Sequence, residues 1–469
     1  MKKILLILSI LFLSFSLFAQ SDDDLFGSDD DFFGDDGIEE VADVSAKTDL
    51  SKGVLFDTGS IKVGGNLNAG ISTNTILWGP DNEDLGDNIH NTTFTPDLSA
   101  MLTVDARPTE TLRMYTKFGF AYPFKSSLSA YSKYGAKTEF LGFDANMNPI
   151  IGTKVDTTFA DWFKLKELFT DFSMNDTAFF RFGIHTVTWG AGYFFSPVSD
   201  MINTSSIDPE NPEAQVDGSL NLRTQIVFPG TQNCLWFYVI PSTKFNKQNA
   251  ESYARDTALA GKADILIGNW ELGVGGLWKY QTAPKAMLTA TGSLKKVSFF
   301  GEFVYSYGSS SEWTENKEWD DKTNIFQATA GLSYYWKDPQ ITLAAQYYFN
   351  GNDKDFPYNY VIAGHNIAAM VSFGKIFGNT DFSASIFGMA NFGRKEFTDS
   401  ELSVMKMAGI DDETISSITG SSLTAKSMVY YSPIKEIKIG MGPSISLKTF
   451  EDKPKFSFSL SATLGGGKF

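Results

Sequence analysis

A single cysteine, Cys234, in 469 residues rules out any disulfide within the chain. Histidine is nearly as scarce. His90, His185 and His365 are the full set, and none stands at the HExxH spacing that places two zinc ligands on one helical face. Gly467-Lys468 is followed by Phe469 rather than Ser or Thr, with no glycine five positions before Gly467, so a phosphate-cradling loop fails at both ends. There is no Gly-x-Ser-x-Gly elbow, and Asp200, His185 and a serine have no spacing that marks a triad. The chain reads as a non-enzyme without a cofactor. Basic residues are outnumbered, 39 Lys and Arg against 55 Asp and Glu, and the net charge of -16 excludes a nucleic-acid partner, whose phosphates would be repelled. Long apolar runs are missing too. Beyond the first twenty residues nothing approaches the roughly 18 consecutive apolar residues of a membrane helix, so the helical membrane class is excluded.

What the chain does contain is aromatic residues, glycine and a two-residue rhythm. It has 41 Phe, 18 Tyr, 9 Trp and 41 Gly. From Phe456 to Leu464 the odd and even positions separate: Phe456, Phe458, Leu460, Ala462 and Leu464 are apolar, while Ser457, Ser459, Ser461 and Thr463 are hydroxylated. Such a segment is a strand with one oily and one wet face. Eighteen segments of this kind follow one another, from 60–72 to 454–465, and include 178–190 and the weakest one, 285–292. Short and long joins mostly alternate between them. The expected fold is all-β, a transmembrane antiparallel β-barrel of about 18 strands, with 16 as the alternative, long outer loops and short periplasmic turns. The joins 281–284 and 448–453 are shorter than this scheme asks. A soluble β-sandwich is the competing architecture for the same aromatic content.

Three regions follow. Residues 1–20 carry Lys2 and Lys3, an apolar run and Ala19-Gln20, the marks of a secretory signal peptide. Residues 21–59 form an acidic tail, with eleven Asp or Glu between Ser21 and Lys47 and a doubled unit, Asp22-Asp23-Asp24-Leu25-Phe26-Gly27 and Asp29-Asp30-Asp31-Phe32-Phe33-Gly34. It has too little apolar surface to offset the entropy of ordering and is expected to be a flexible periplasmic spacer, or a docking peptide for a periplasmic partner. Residues 60–469 are the barrel. In the loop 393–421, Thr398 and Glu401 fit a capping box ahead of Leu402, Met405 and Ala408.

A barrel this wide cannot be filled by its own side chains, so width implies passage of solutes. Continuing each alternation sends Arg113, Lys117, Arg181, His185 and Arg223 inward, together with Lys62, Asp105, Lys262, Asp264, Glu271, Lys279 and Glu302. Lys296, Thr342 and Tyr348 share that phase. Three of the six arginines fall in this set, facing isolated carboxylates, which leads to an expected weak anion preference. The alternative function is a surface adhesin or receptor that presents long outer loops on a barrel mount.

The segment Phe180-Arg181-Phe182-Gly183-Ile184-His185-Thr186-Val187-Thr188-Trp189-Gly190 resembles a signature of porin-like bacterial outer-membrane barrels, in which Arg-x-Gly-x-Gln precedes Trp-Gly. Phe195-Ser196-Pro197, Asp200, Asn203 and Asp208-Pro209 continue the pattern, and His185 departs from it. The likeness spans about residues 165–230 and implies a porin-like protein of the bacterial outer membrane, in contact with its lipid. It implies no particular solute. Terminal Phe469 matches the aromatic end by which assembly machinery and periplasmic chaperones handle such barrels. Gly183 and Gly190 are positions for close backbone approach, Trp189 is expected at the outer membrane interface, and the loop 191–217 is the candidate for narrowing the bore.

Overall fold

The computed structural model describes residues 56–79, 84–122, 137–143, 149–154, 163–204, 206–210, 212, 216–242, 250–337, 339–354, 363–376, 378–393, 399, 402–403, 406, 421–434, 436–447 and 453–468. The signal peptide, nearly all of the acidic tail, Phe469, and the capping-box residues Thr398 and Glu401 lie outside this set.

Alternation is realised as strands in every segment where it was read. These are β1 (Ile61–Trp78), β2 (Thr93–Thr109), β3 (Leu112–Ala121), β4 (Phe163–Met174), β5 (Ala178–His185), β6 (Ser219–Val227), β7 (Cys234–Ile240), β8 (Ala258–Ile267) and β9 (Trp270–Lys279). The second half comprises β10 (Lys285–Leu294), β11 (Val297–Tyr307), β12 (Asn324–Trp336), β13 (Ile341–Asn350), β14 (Gly364–Phe373), β15 (Phe382–Phe392), β16 (Ser422–Ile434), β17 (Ile437–Leu447) and β18 (Lys455–Lys468). Each pairs antiparallel with its sequence neighbours, and β18 pairs with β1, from Asn66 opposite Lys468 to Trp78 opposite Phe456. The sheet has nineteen strands, one of which is only the two-residue segment Phe56–Asp57 beside β1, so eighteen close the ring. Eighteen strands at about 4.8 Å spacing and about 40° tilt enclose a cylinder roughly 35 Å across.

The sixteen-strand alternative fails at the strand that seemed weakest. β10 is bonded along its length to both β9 and β11. The short join before it is a tight turn that sits on the rim of long loops, with Gln281 in the left-handed region at φ 50°. β1 runs on to Trp78 rather than ending at residue 72, whereas β5 ends at His185, not at residue 190, and β6 starts at Ser219. β5 and β6 stop low because the chain between them turns into the barrel. Lys296 lies in the turn before β11 rather than in the strand.

Outside the ring, the apolar phase is exposed: Leu67, Ile71, Met114, Phe182, Val274, Leu288 and Leu464 are among the exposed side chains. Exposed aromatics gather at both rims, Trp270, Trp336 and Tyr431 near the short turns, and Trp278, Phe326 and Tyr347 near the long loops. Trp270 and Trp278 share β9, eight residues and so about 20 Å apart along the barrel axis, close to the height of an outer-membrane apolar band. A closed ladder leaves no backbone edge in lipid, and with this exterior the protein spans the bacterial outer membrane in contact with its lipid.

Candidate functional site

The interior is organised by the segment from Thr186 to Gly218, which enters the bore where β5 ends. Its apolar residues do not face water. Val187, Trp189, Val198 and Ile202 pack with Tyr238 of β7, Ala260 of β8, Leu277 of β9, Met287 of β10 and Val304 of β11. Phe194 and Phe195 pack with Ala344 and Tyr348 of β13, Ala368 of β14 and Phe387 of β15. The loop is thus seated against the wall from β7 to β15.

Buried wall side chains hold its backbone. The Glu302 carboxylate accepts hydrogen bonds from the Gly192 N–H at 2.7 Å, the Val198 N–H at 3.0 Å and the Ser196 hydroxyl at 3.1 Å. Gln346 accepts from the Phe194 N–H at 2.7 Å and donates to the Phe195 carbonyl at 2.6 Å. The Lys262 ammonium donates to the Trp189 carbonyl at 2.9 Å and pairs with Asp264 at 2.9 Å. Within the loop, Ser199 Oγ accepts from the N–H groups of Trp189 and Gly190, and Asn203 bonds both backbone groups of Val187. Its far end is clamped by Asp217, which pairs with Lys164 and Lys166 of β4.

Glycine is required where the loop meets the wall. A Cβ on Gly190 would lie 2.1 Å from Glu302 Oε1, and one on Gly183, at φ 140°, would lie 2.0 Å from the Leu168 carbonyl of β4. Trp189, expected at the membrane interface, is instead only 4 % exposed and packs edge-on to Tyr238 at 4.9 Å. The shortened β5 turns it into the bore.

The inward arginines alternate with close carboxylates instead of forming a column opposed by distant ones. Arg113 of β3 reaches Asp105 of β2 at 3.0 Å and Asp171 of β4 at 3.7 Å, and Arg181 of β5 reaches the same Asp171 at 2.6 Å. Arg223 of β6 is in register with Arg181 and lies over the Trp236 ring at 5.4 Å. Lys62 is in register with Asp105, and Lys117 with Glu167. Glu271 is exposed and Lys279 half-buried, at opposite ends of β9. Arg181, His185, Lys262, Asp264 and Glu302 are all buried. They form part of the packing beneath the bore, and Lys262 and Glu302 hold the loop directly.

Several site residues were not identified from the sequence. Asp171 was inward by the alternation of its own strand, and that signal was available. Gln346, 152 residues from Phe194, carried no local signal. Lys166 lies at a bulge in the β3–β4 pairing, where the two-residue rhythm slips. His185 is 1 % exposed and packs edge-on to Phe169, with ring centroids 5.9 Å apart.

Asp200 sits in a turn of 3₁₀ helix within the loop, Ser199–Met201. Burial pushes its carboxyl up to about 7; the Glu302 charge adds to this, while a Ser206 hydrogen bond and Lys285 oppose it. The docked loop therefore keeps a proton that a released loop gives up, so docking is firmest below the ordinary carboxylate range and weakens as pH rises through about 7. Single-channel current is expected to grow and become noisier between about pH 4 and about pH 7 and to level off above that, and Asp200→Asn should flatten that response.

No protein-family model matches the chain, and no curated protein is similar to it. Solved structures that it resembles include OccK9 (OpdG) of Pseudomonas aeruginosa, at 8% identity and TM-score 0.47, covering 86% of this chain and 98% of that one. OprB of Pseudomonas putida has 8% identity and TM-score 0.45, with 89% and 96% covered. The outer membrane channel DcaP of Acinetobacter baumannii has 12% identity and TM-score 0.41, with 87% and 98% covered.

Proposed function

We propose that this protein is a porin-like channel through which small hydrophilic solutes cross the outer membrane passively, its aperture set by the loop 186–218. One observation carries the reading: the loop is bonded from within to one side of a cylinder far wider than its own side chains can fill, through Glu302, Gln346 and Lys262. In this reading Lys62, Asp105, Arg113, Lys117, Arg223, Glu271 and Lys279 border the passage, while Arg181, His185, Lys262, Asp264 and Glu302 shape it from beneath. Assembly machinery and periplasmic chaperones, and a periplasmic partner for the acidic tail, belong to the same proposal.

Arg113, Arg181 and Arg223 exceed Asp105 and Asp171 by one charge, so selectivity among ions should be weak and should favour anions. In a planar bilayer under a salt gradient, purified protein should give an ohmic current with a small reversal potential of the anion-selective sign. Asp171→Asn removes the carboxylate shared by two arginines and should enlarge that potential. A sealed bilayer would overturn the channel reading, and clear cation selectivity would overturn the anion preference alone.

A further inference from the structure

The loop is seated by β4 and by β7 through β15, and β17, β18, β1 and β2 make up another arc of the wall. That arc has a different chemistry from the rest. Ser459 of β18 lies between Gly442 of β17 and Asn74 of β1, and its hydroxyl donates to Asn74 Oδ1 at 3.3 Å. One step along, Ser461 lies between Gly440 and Ser72, and Ser457 faces Ser444. Asn74 is exposed, and Ser459, Ser461 and Ser72 are half-buried, on the face opposite Leu460 and Leu464. Charges here are mostly paired: Lys62 of β1 is in register with Asp105 of β2, which Arg107 and Arg113 reach at 3.4 and 3.0 Å. Asp97 of β2 already accepts from Asn68 and Ser99, and Lys438 lies over the Tyr430 ring at 4.1 Å.

A hydroxyl or carboxamide both donates and accepts, so this surface matches the hydroxyls of a polyol, which do the same. It provides little counter-charge for an ion that must shed water on entering. Arg113 and Arg181 are paired with Asp105 and Asp171, Lys262 lies beside Asp264 under the loop, and the excess charge, Arg223, is on β6, outside this arc. Resting on the channel reading, we infer that the solutes this passage favours are neutral polyhydroxylated molecules of sugar size, which move along the hydroxyl-lined arc of β17, β18, β1 and β2.

Efflux of glucose, gluconate and glucosamine from proteoliposomes containing the full-length protein tests this, with salt conductance measured on the same preparation. Glucose should leave faster than either charged analogue by about threefold or more, the effect of a single net hydrogen bond. The double variant Ser459→Leu with Asn74→Leu should lower glucose efflux by a similar factor and leave salt conductance within about twofold. Gluconate or glucosamine outrunning glucose, or glucose efflux unchanged in the variant, overturns the inference and leaves the channel standing. Loss of glucose efflux and conductance in equal proportion does the same, since a plain blockage would explain it. Wild-type liposomes that neither conduct nor release any solute overturn the channel and this inference together.

Discussion

Glu302→Ala is expected to release the loop and enlarge the channel. The carboxylate is 4 % exposed and receives two backbone N–H groups from the loop and the Ser196 hydroxyl, which can also turn to Ser199 Oγ at 2.9 Å. Each buried donor left unpaired costs about 1–3 kcal/mol, so the seated loop loses much of its advantage over a displaced one. Single-channel conductance should rise by roughly twofold or more, toward that of an unobstructed eighteen-strand bore, and larger polymers should enter. Glu302→Gln keeps one acceptor oxygen and should fall between wild type and alanine. Gln346→Ala, which frees the Phe194 N–H and the Phe195 carbonyl, should act in the same direction, and the two changes should combine more than additively because they hold one rigid segment. Unaltered conductance in the Glu302→Ala, Gln346→Ala double variant would show that the apolar contacts of Phe194, Val198 and Trp189 seat the loop unaided.

The second large effect concerns the opposite face of the wall. Phe182 is 52 % exposed on the lipid side of β5, and an arginine there must be carried into hydrocarbon. Near the bilayer midplane this destabilises a barrel by about 2–4 kcal/mol. Phe458→Arg should act in the same sense. At Ser459, in the opposite phase, the same side chain projects into the hydrated interior and should cost about 1 kcal/mol or less. Urea titrations of the folded band in heat-modifiable gel mobility separate the two cases. Equal tolerance of arginine at Phe182 and Ser459 would contradict the assignment of oily and wet faces.

The alternation revealed so much of this fold because each barrel strand meets the same two solvents, lipid and water, whatever its neighbours are. Leu112, Met114 and Phe120 could be placed without knowing which strand lay beside them. The interior loop obeys no such rule. Trp189 and Phe194 look like interface or lipid residues in sequence, and they are buried because Glu302 and Gln346, more than a hundred residues away, draw the backbone across the bore. The clamp of Lys164 and Lys166 on Asp217 was hidden for a related reason, the bulge that breaks the phase of β4. A different kind of omission occurs at Ser309 and Glu312. Their reciprocal capping box starts the short helix Ser310–Thr314, and its Ser-x-x-Glu spacing was legible all along.

The seam where β18 meets β1 joins residues 385 positions apart, as Ser459 to Asn74 shows. Until the final strand has been synthesised, the growing sheet has two raw edges, each a row of peptide groups with nothing to bond. Folding therefore cannot be credited strand by strand as the polypeptide emerges. The topology carries a high entropic toll that is recovered only at the last zip, and any truncation that deletes the C-terminal segment should abolish closure altogether rather than yield a slightly smaller ring.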